Sequence, residues 1–246
     1  PTQEMVESYE LATGGFPDWS EWHNTEGTTA NPPYADLEPR FHATVLYNGA
    51  EWKGRTIEPY INGIDGWASW KTEREPKGKT TTGYYLKKYV DGSCVTTTDN
   101  PVTRRHTWII FRLAEFYLNY AEAVYNATGS ANDATYGMTA NEAINVLRKR
   151  SDINMPEFTE DGEAWVERYE RERLVELAFE NHRFWDVRRW KKGAQYFKTV
   201  QVANISANKQ LTRAAVNRQW EDKYYLYPIP QSEIKKNPNL EQNPGW

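Results

Sequence analysis

The pattern of apolar and polar positions is clearest in the second half of the chain, where it predicts three helices. In residues 108–127, apolar side chains recur every three or four positions and predict one buried helix face: Ile109, Leu113, Phe116, Tyr117, Tyr120, Ala121 and Val124. Thr139 and Glu142 have the spacing of a capping box, which predicts the start of a second helix. We expect these two helices to form an antiparallel pair.

A third helix is predicted over residues 168–190, with an aromatic side and a charged side. Three acid–base pairs have the spacing that bridges neighbouring helical turns: Glu167 with Arg171, Glu180 with Arg183, and Asp186 with Arg189. Glu172 and Glu176 share a face, so we expect cations to neutralise them. Candidate cations in the same stretch are Arg168, Arg173 and Arg188.

The first half of the chain has weaker patterns and more turn-forming residues. A short helix is predicted over residues 2–12, and a long irregular loop over residues 16–39. Alternating apolar residues predict short strands at 40–46 and 84–90, with an extended segment at 51–60.

Residues 171–190 read R-E-R-L-V-E-L-A-F-E-N-H-R-F-W-D-V-R-R-W, and they resemble the signature helix of the SusD/RagB family of outer-membrane nutrient-binding lipoproteins. Three further segments agree with this family in the same order: residues 1–4, 112–123 and 227–245. The resemblance covers essentially the whole chain but only the C-terminal half of a full-length family member.

The resemblance implies a mainly α-helical SusD-like fold with a tetratricopeptide-like helix pair, short β-strands and long irregular loops. Residues 1–246 would form one SusD/RagB-type C-terminal domain. Within it, residues 1–106 would be a loop- and strand-rich, ligand-facing region, and residues 107–246 a helical region with a Pro-rich tail. A repeat unit of this kind cannot bury its apolar face alone. We therefore expect the helix pair to pack on the N-terminal half of the same parent protein.

The resemblance also implies a function without chemistry, in which a cell-surface protein captures oligosaccharides and passes them to a SusC-like TonB-dependent outer-membrane transporter. Peptide binding and a role as a transporter-docking scaffold are the alternatives. Family members are anchored by an acylated cysteine near the mature N-terminus, and Cys94 lies too deep in the chain for that role. We therefore expect a lipid anchor in a segment absent from this chain.

The composition of the chain excludes several other classes of protein. A net charge of -4 argues against nucleic-acid binding, because such proteins usually carry a basic field. A single cysteine excludes an internal disulfide framework and a thiolate metal cluster. No apolar run approaches the roughly 18 residues of a membrane-spanning helix.

Motifs for catalysis are also missing from the sequence. It contains no H-E-x-x-H, no G-x-S-x-G and no Gly-rich phosphate loop. Glu180 and His182 are two positions apart, which does not place them on one helical face as a metal pair. We expect neither a metal nor a cofactor. A pair of glycosidase carboxylates that meet only in the fold stays open as a weaker alternative.

Aromatic residues supply the candidate binding site. The chain has 11 tryptophans, and indole rings suit surfaces that contact the C–H faces of sugars while polar neighbours bind the hydroxyl groups. Two pairs with a three-residue separation lie in predicted loops, with two polar companions beside the second pair: Trp19 and Trp22, then Trp67 and Trp70 with Asp65 and Lys71. The alternative is that these indoles cover the loops or pack on the missing half.

Overall fold

The computed structural model describes residues 1–22, 32–66, 80–95 and 100–246. Its helices are α1 Gln3–Val6, α2 Pro39–Thr44, α3 Leu113–Thr128, α4 Ala140–Arg148, α5 Gly162–Glu176, α6 His182–Arg189, α7 Gly193–Phe197 and α8 Gln231–Lys236. Its strands are β1 Val45–Leu46, β2 Glu51–Trp52, β3 Arg55–Thr56, β4 Tyr85–Leu86, β5 Thr199–Ile205 and β6 Leu211–Asn217. The mainly helical fold with short strands is confirmed.

The strands of the described residues form three separate antiparallel pairs, β1 with β4, β2 with β3, and β5 with β6. The β5–β6 hairpin is the longest, and it pairs Thr199 with Asn217 at one end and Ile205 with Leu211 at the other. No strand was predicted for either of its arms. The predicted strand over residues 84–90 is reduced to Tyr85–Leu86.

The strand predicted over residues 40–46 is wrong, because most of this stretch is helix α2. Pro39 occupies the first turn, where its missing N–H costs no hydrogen bond. The buried residues Arg40, Phe41 and Thr44 follow a helical spacing and face the core. The apparent alternation at Phe41, Ala43 and Val45 was therefore misleading.

The first helix is also shorter than predicted, since α1 ends at Val6 rather than near residue 12. Thr2 caps it through a hydrogen bond from the Met5 backbone N–H at 3.4 Å. The chain then continues as turns that bury Tyr9 in the core.

Helices α3 and α4 pack together as the predicted pair, and the capping box at Thr139 and Glu142 is confirmed. Helix α3 begins at Leu113, so residues 108–112 are not helical. Its buried stripe is Ala114, Leu118, Ala121 and Val124. The face predicted from the apolar spacing is partly wrong, because Ile109, Leu113 and Phe116 are exposed.

The single helix predicted over residues 168–190 is two helices, α5 and α6. The chain turns between them at Phe179 and Asn181, which have φ angles of 61° and 67° in the left-handed region. This turn breaks the helical spacing, so Glu180 does not meet Arg183. The pairs Glu167–Arg171 and Asp186–Arg189 are confirmed, at 2.8 and 2.9 Å.

The described apolar residues pack into two large clusters and a small one. The first joins α1, α2 and the segments around Trp19 and Tyr34 to α5 and the β5–β6 hairpin. The second is formed by α3, α4 and α5 around Trp165. Helix α5 contributes to both large clusters, so its position fixes the two halves of the core relative to each other.

Candidate functional site

The first predicted aromatic pair lies inside the protein. Trp19 and Trp22 are 6% and 8% exposed, and their ring centroids are 5.9 Å apart in an edge-to-face arrangement. Trp19 also packs near Tyr34 at 6.2 Å. The expected solvent-facing platform is therefore not found at these two residues. Their rings belong to the first core cluster.

Asp65 fixes a turn rather than facing an open surface. Its carboxylate accepts two hydrogen bonds from Arg55, at 2.6 and 2.7 Å, and a third from the Glu58 backbone N–H at 3.0 Å. Gly66 presses against this turn, because a Cβ there would lie 1.8 Å from the Tyr60 carbonyl oxygen. Asp65 thus anchors the chain directly before residue 67, and its contact with a ligand stays a prediction.

Trp67, Trp70 and Lys71 lie outside the described residues. The structure therefore brings none of the predicted binding tryptophans together on a described surface. The prediction of an aromatic site now depends on the segment 67–79 and on the described residues that flank it.

Carboxylates that could have served an acid–base role are used in a largely buried ion cluster. The cluster joins five glutamates to six basic side chains: Glu10, Glu38, Glu172, Glu176 and Glu180 with Arg40, Lys88, Arg112, Arg148, Arg150 and Arg168. It connects the segment after α1 to α2, α4 and α5. Only Arg168 of the expected neutralising residues belongs to it, and it pairs with Glu10.

Arg148 lies at the centre of the ion cluster and has no exposed surface. It donates to both carboxylate oxygens of Glu10, at 2.7 and 3.0 Å, and to Glu172 at 2.6 Å. Its Nε donates to the Pro156 carbonyl at 2.7 Å. These four hydrogen bonds, three of them to carboxylates, compensate the buried charge, as burial requires.

Glu176 accepts hydrogen bonds from three guanidinium groups of the cluster. Arg112 and Arg150 bind its Oε1 at 2.7 and 2.8 Å, and Arg40 binds its Oε2 at 3.1 Å. Burial alone would raise the pKa of Glu176, but the three guanidinium groups lower that pKa to about 2. A carboxylate held so firmly in its charged form is a poor general acid near neutral pH.

The same conclusion holds for Glu172 and Glu180, the other cluster carboxylates on or directly after α5. Burial opposes their charged forms, but neighbouring basic groups shift the pKa of both carboxyls downward. Within the described residues, no group of three His, Cys, Asp or Glu side chains could hold a metal ion. The ion cluster is therefore a structural connection between elements.

A groove of 650 Å³ lies beside the β5–β6 hairpin. Residues 59–61 and 80–83 form its other side, and these segments flank the turn that Asp65 anchors. Sequence reasoning missed these residues because the hairpin itself was missed. The available signal was the period-two spacing of Val200 and Val202, followed by the polar turn 206–210.

A second exposed feature is an apolar surface at the start of α3, here called the α3 apolar face. It consists of Trp108, Ile109, Ile110, Phe111, Leu113 and Phe116. Leu113 and Phe116 are 68% and 55% exposed, and with Tyr117, Tyr120 and Met138 they line a groove of 480 Å³. Contiguous exposed apolar residues usually mark an interaction surface.

No helix in the described part of the chain is both long and apolar enough to cross a bilayer.

Comparisons with known proteins agree with this architecture. The starch-binding protein SusD of Bacteroides thetaiotaomicron is 30% identical over 141 residues, which are 56% of this chain and 21% of that protein. A crystal structure of a SusD-like protein from Bacteroides fragilis is 30% identical, with a TM-score of 0.80, and the match covers all of this chain and 47% of that one. A SusD-like carbohydrate-binding protein from the same species is 26% identical, with a TM-score of 0.69, over 98% of this chain and 48% of that one.

The chain thus spans about half the length of these solved relatives and a smaller share of the curated one. The sequence model of the SusD family matches residues 1–246. This match includes the α5–α6 stretch, which contributes Arg168, Glu172, Glu176 and Glu180 to the ion cluster, as well as the α3–α4 pair and the Pro-rich tail. The chain belongs to the SusD family.

Proposed function

We propose that this chain is part of a non-catalytic, cell-surface glycan-binding protein that captures oligosaccharides and passes them to a SusC-like TonB-dependent transporter in the outer membrane. The proposal is carried by membership of the SusD family, together with the carbohydrate binding of two relatives. One relative is a starch-binding protein, and a solved one is a carbohydrate-binding protein.

The arrangement of carboxylates supports a binding role over hydrolysis. A glycosidase needs one carboxylic acid that holds its proton near neutral pH and a second carboxylate facing it across the substrate. Glu172, Glu176 and Glu180 have lowered pKa values and are enclosed by basic side chains. They therefore lack both the proton and the open position that this chemistry requires.

Trp67, Trp70 and Lys71 remain the proposed ligand contacts outside the described residues. Asp65 and the closely packed glycines before residue 67 support this proposal, because they give the segment a fixed starting point. Stacked aromatic pairs are worth about 0.5–1.5 kcal/mol beyond their buried area, and we expect a contribution of the same order from each indole on a sugar face. We expect the double variant W67A/W70A to bind oligosaccharides about tenfold or more weakly.

Isothermal titration calorimetry with maltoheptaose, other neutral oligosaccharides, an acidic oligosaccharide and short peptides tests this proposal. Trp246→Ala is a suitable control, since that ring is exposed at the end of the chain. Binding of peptides with no response to any glycan would favour the peptide-binding alternative. Glycan binding that the double variant leaves unchanged would remove these tryptophans from the site.

We also propose that the α3 apolar face is covered by helices from the rest of the parent protein. The solved relatives are about twice as long as this chain. A helix pair of repeat type needs a neighbouring repeat to bury its outer face. The face would then belong to the scaffold, while ligand binding is left to the loops and the hairpin.

A further inference from the structure

The two faces of the β5–β6 hairpin have different roles. Side chains alternate between the faces of a strand pair, so paired residues share a face. Ala203, Ile205 and Leu211 belong to the first core cluster. The opposite face carries Val202 and Ala214 as one pair and Asn204 and Thr212 as another, with Val216 beyond them. All five of these side chains line the 650 Å³ groove.

Backbone hydrogen bonds hold the opposite wall of the groove on the outer edge of β5. The Ile61 N–H donates to the Ile205 carbonyl at 2.9 Å, and the Ala203 N–H donates to the Thr82 carbonyl at 3.0 Å. Gly83 is pressed against the same strand, because a Cβ there would lie 2.4 Å from the Ala203 carbonyl oxygen. The groove is therefore pre-formed by paired backbone.

The groove lining is uncharged. No ionisable side chain occurs among the described residues that line it, although 26% of the whole chain is charged. Its polar side chains carry hydroxyl or amide groups: Thr80, Thr81, Asn204, Ser206, Gln210 and Thr212. Ile61, Ala214 and Val216 add apolar surface. Hydroxyl and amide groups both donate and accept hydrogen bonds, as a ligand rich in hydroxyl groups requires.

We propose that this groove is the binding site for a neutral oligosaccharide, an inference that rests on the function proposed above. Sugar hydroxyls exchange hydrogen bonds with the Thr, Asn, Ser and Gln side chains, and the C–H faces of the rings contact the apolar residues. A charged ligand would lose its hydration without finding a counter-ion in the lining, which is unfavourable. The volume falls within the range of about 300–1,000 Å³ found for small-molecule sites.

Filling the groove tests the inference. Ala214→Trp adds a large ring to the groove face, and tryptophan is well tolerated in strands. Ala134→Trp is the matched control, because Ala134 is exposed in the loop between α3 and α4. A second variant, Asn204→Ala with Thr212→Val, removes hydrogen-bonding groups while adding no volume. Titration of the full chain would use maltoheptaose, xylohexaose and mannohexaose as neutral probes and hexagalacturonate as the charged probe.

We expect the wild-type chain to bind a neutral probe more tightly than hexagalacturonate. Ala214→Trp should weaken that binding at least about tenfold, and the double variant roughly three- to tenfold for each hydrogen bond lost. The control should leave the affinity unchanged, and circular dichroism with thermal melting should show that all variants are folded. If Ala214→Trp does not fold, the double variant decides the question.

Two kinds of failure are distinguishable. Tight binding of a neutral probe that survives in both groove variants would overturn the groove assignment and leave the proposed function standing. Preference for hexagalacturonate would overturn the neutral-ligand inference while still showing glycan binding. A wild-type chain that binds no glycan would refute the proposed function and, with it, the inference that rests on it.

Discussion

Replacing Glu176 with glutamine tests the ion cluster most directly, because the substitution keeps the shape of the side chain and removes its charge. In the wild type, both carboxylate oxygens accept from guanidinium groups of Arg40, Arg112 and Arg150. The glutamine side chain keeps one accepting oxygen, but its NH2 group can only donate and would face the guanidinium donors on that side. Three cationic groups then lose their shared anion.

The size of the effect follows from two independent arguments. Breaking a buried ion pair by removing one partner costs about 3–5 kcal/mol of unfolding free energy. The pKa of Glu176 falls from 4.5 to about 2 on folding. A shift of this size corresponds to roughly 3 kcal/mol of stability at neutral pH. We therefore expect Glu176→Gln to lower the unfolding free energy by about 3–5 kcal/mol at pH 7.

The stabilisation by ionised Glu176 should depend on pH in a definite direction. Because the folded-state pKa is lowered, the stabilisation is complete above the unfolded value of 4.5 and is lost as the pH falls toward about 2. The variant lacks this titration. The stability difference between wild type and variant should therefore shrink by about 2 kcal/mol between pH 7 and pH 3.

Urea denaturation followed by tryptophan fluorescence, at several pH values from 7 to 3, measures both quantities. Urea is preferred to guanidinium because it does not screen ion pairs. Glu167→Gln is the control, since Glu167 pairs with Arg171 at the surface, and this substitution should cost about 0.5 kcal/mol or less. Parallel stability curves for wild type and Glu176→Gln across this pH range would refute the reasoning, as would a loss below about 1 kcal/mol at pH 7.

Three further predictions concern other parts of the fold. Arg148→Met should lower the unfolding free energy by about 3–5 kcal/mol in the same urea assay, because Glu10 and Glu172 would stay buried without their shared cation. A loss under about 1 kcal/mol would contradict this prediction. Gly193→Ala should lower the unfolding free energy by about 1–3 kcal/mol, because the added Cβ would lie 1.8 Å from the Trp220 ring. Gly92→Ala is its control and should cost little, because a Cβ fits at that position. Residues 1–246 alone should self-associate through the α3 apolar face, as measured by analytical ultracentrifugation. Phe116→Lys should reduce this association. A wild-type chain that is monomeric would argue against an uncovered face.

Local signals in the sequence were sufficient where the structure is decided locally. The capping box at Thr139 and Glu142 needs residues three apart, and the structure forms it. The apolar spacing in residues 108–127 correctly indicated helix α3 over most of its length. It could not show which apolar residues face α4 and which face outward, because both sets recur at helical intervals. Leu113 and Phe116 were assigned inward for that reason.

Long-range partners were beyond sequence reasoning. Arg40 is buried because it reaches Glu172, which lies 132 positions away. An alternating pattern around Phe41 suggested a strand, and only the distant carboxylate reveals why a helix presents Arg40 to the core. The hairpin was missed for a different reason. Its strands contain Ala203, Ala214 and Ala215, and alanine has low strand preference, which weakened the alternating signal.

These observations explain why the family motif indicates the fold but leaves the ligand open. Glu172, Glu176 and Glu180 of the motif are consumed in the ion cluster, and Arg173 is bound to Asp186 at 2.7 Å. Side chains engaged in this way hold the helices together and have no free group to offer a ligand. The groove, by contrast, is built from a hairpin and two irregular segments that lie outside the four segments carrying the family resemblance. Their side chains can change without disturbing the ion cluster, so differences in ligand among family members should be concentrated in this part of the chain.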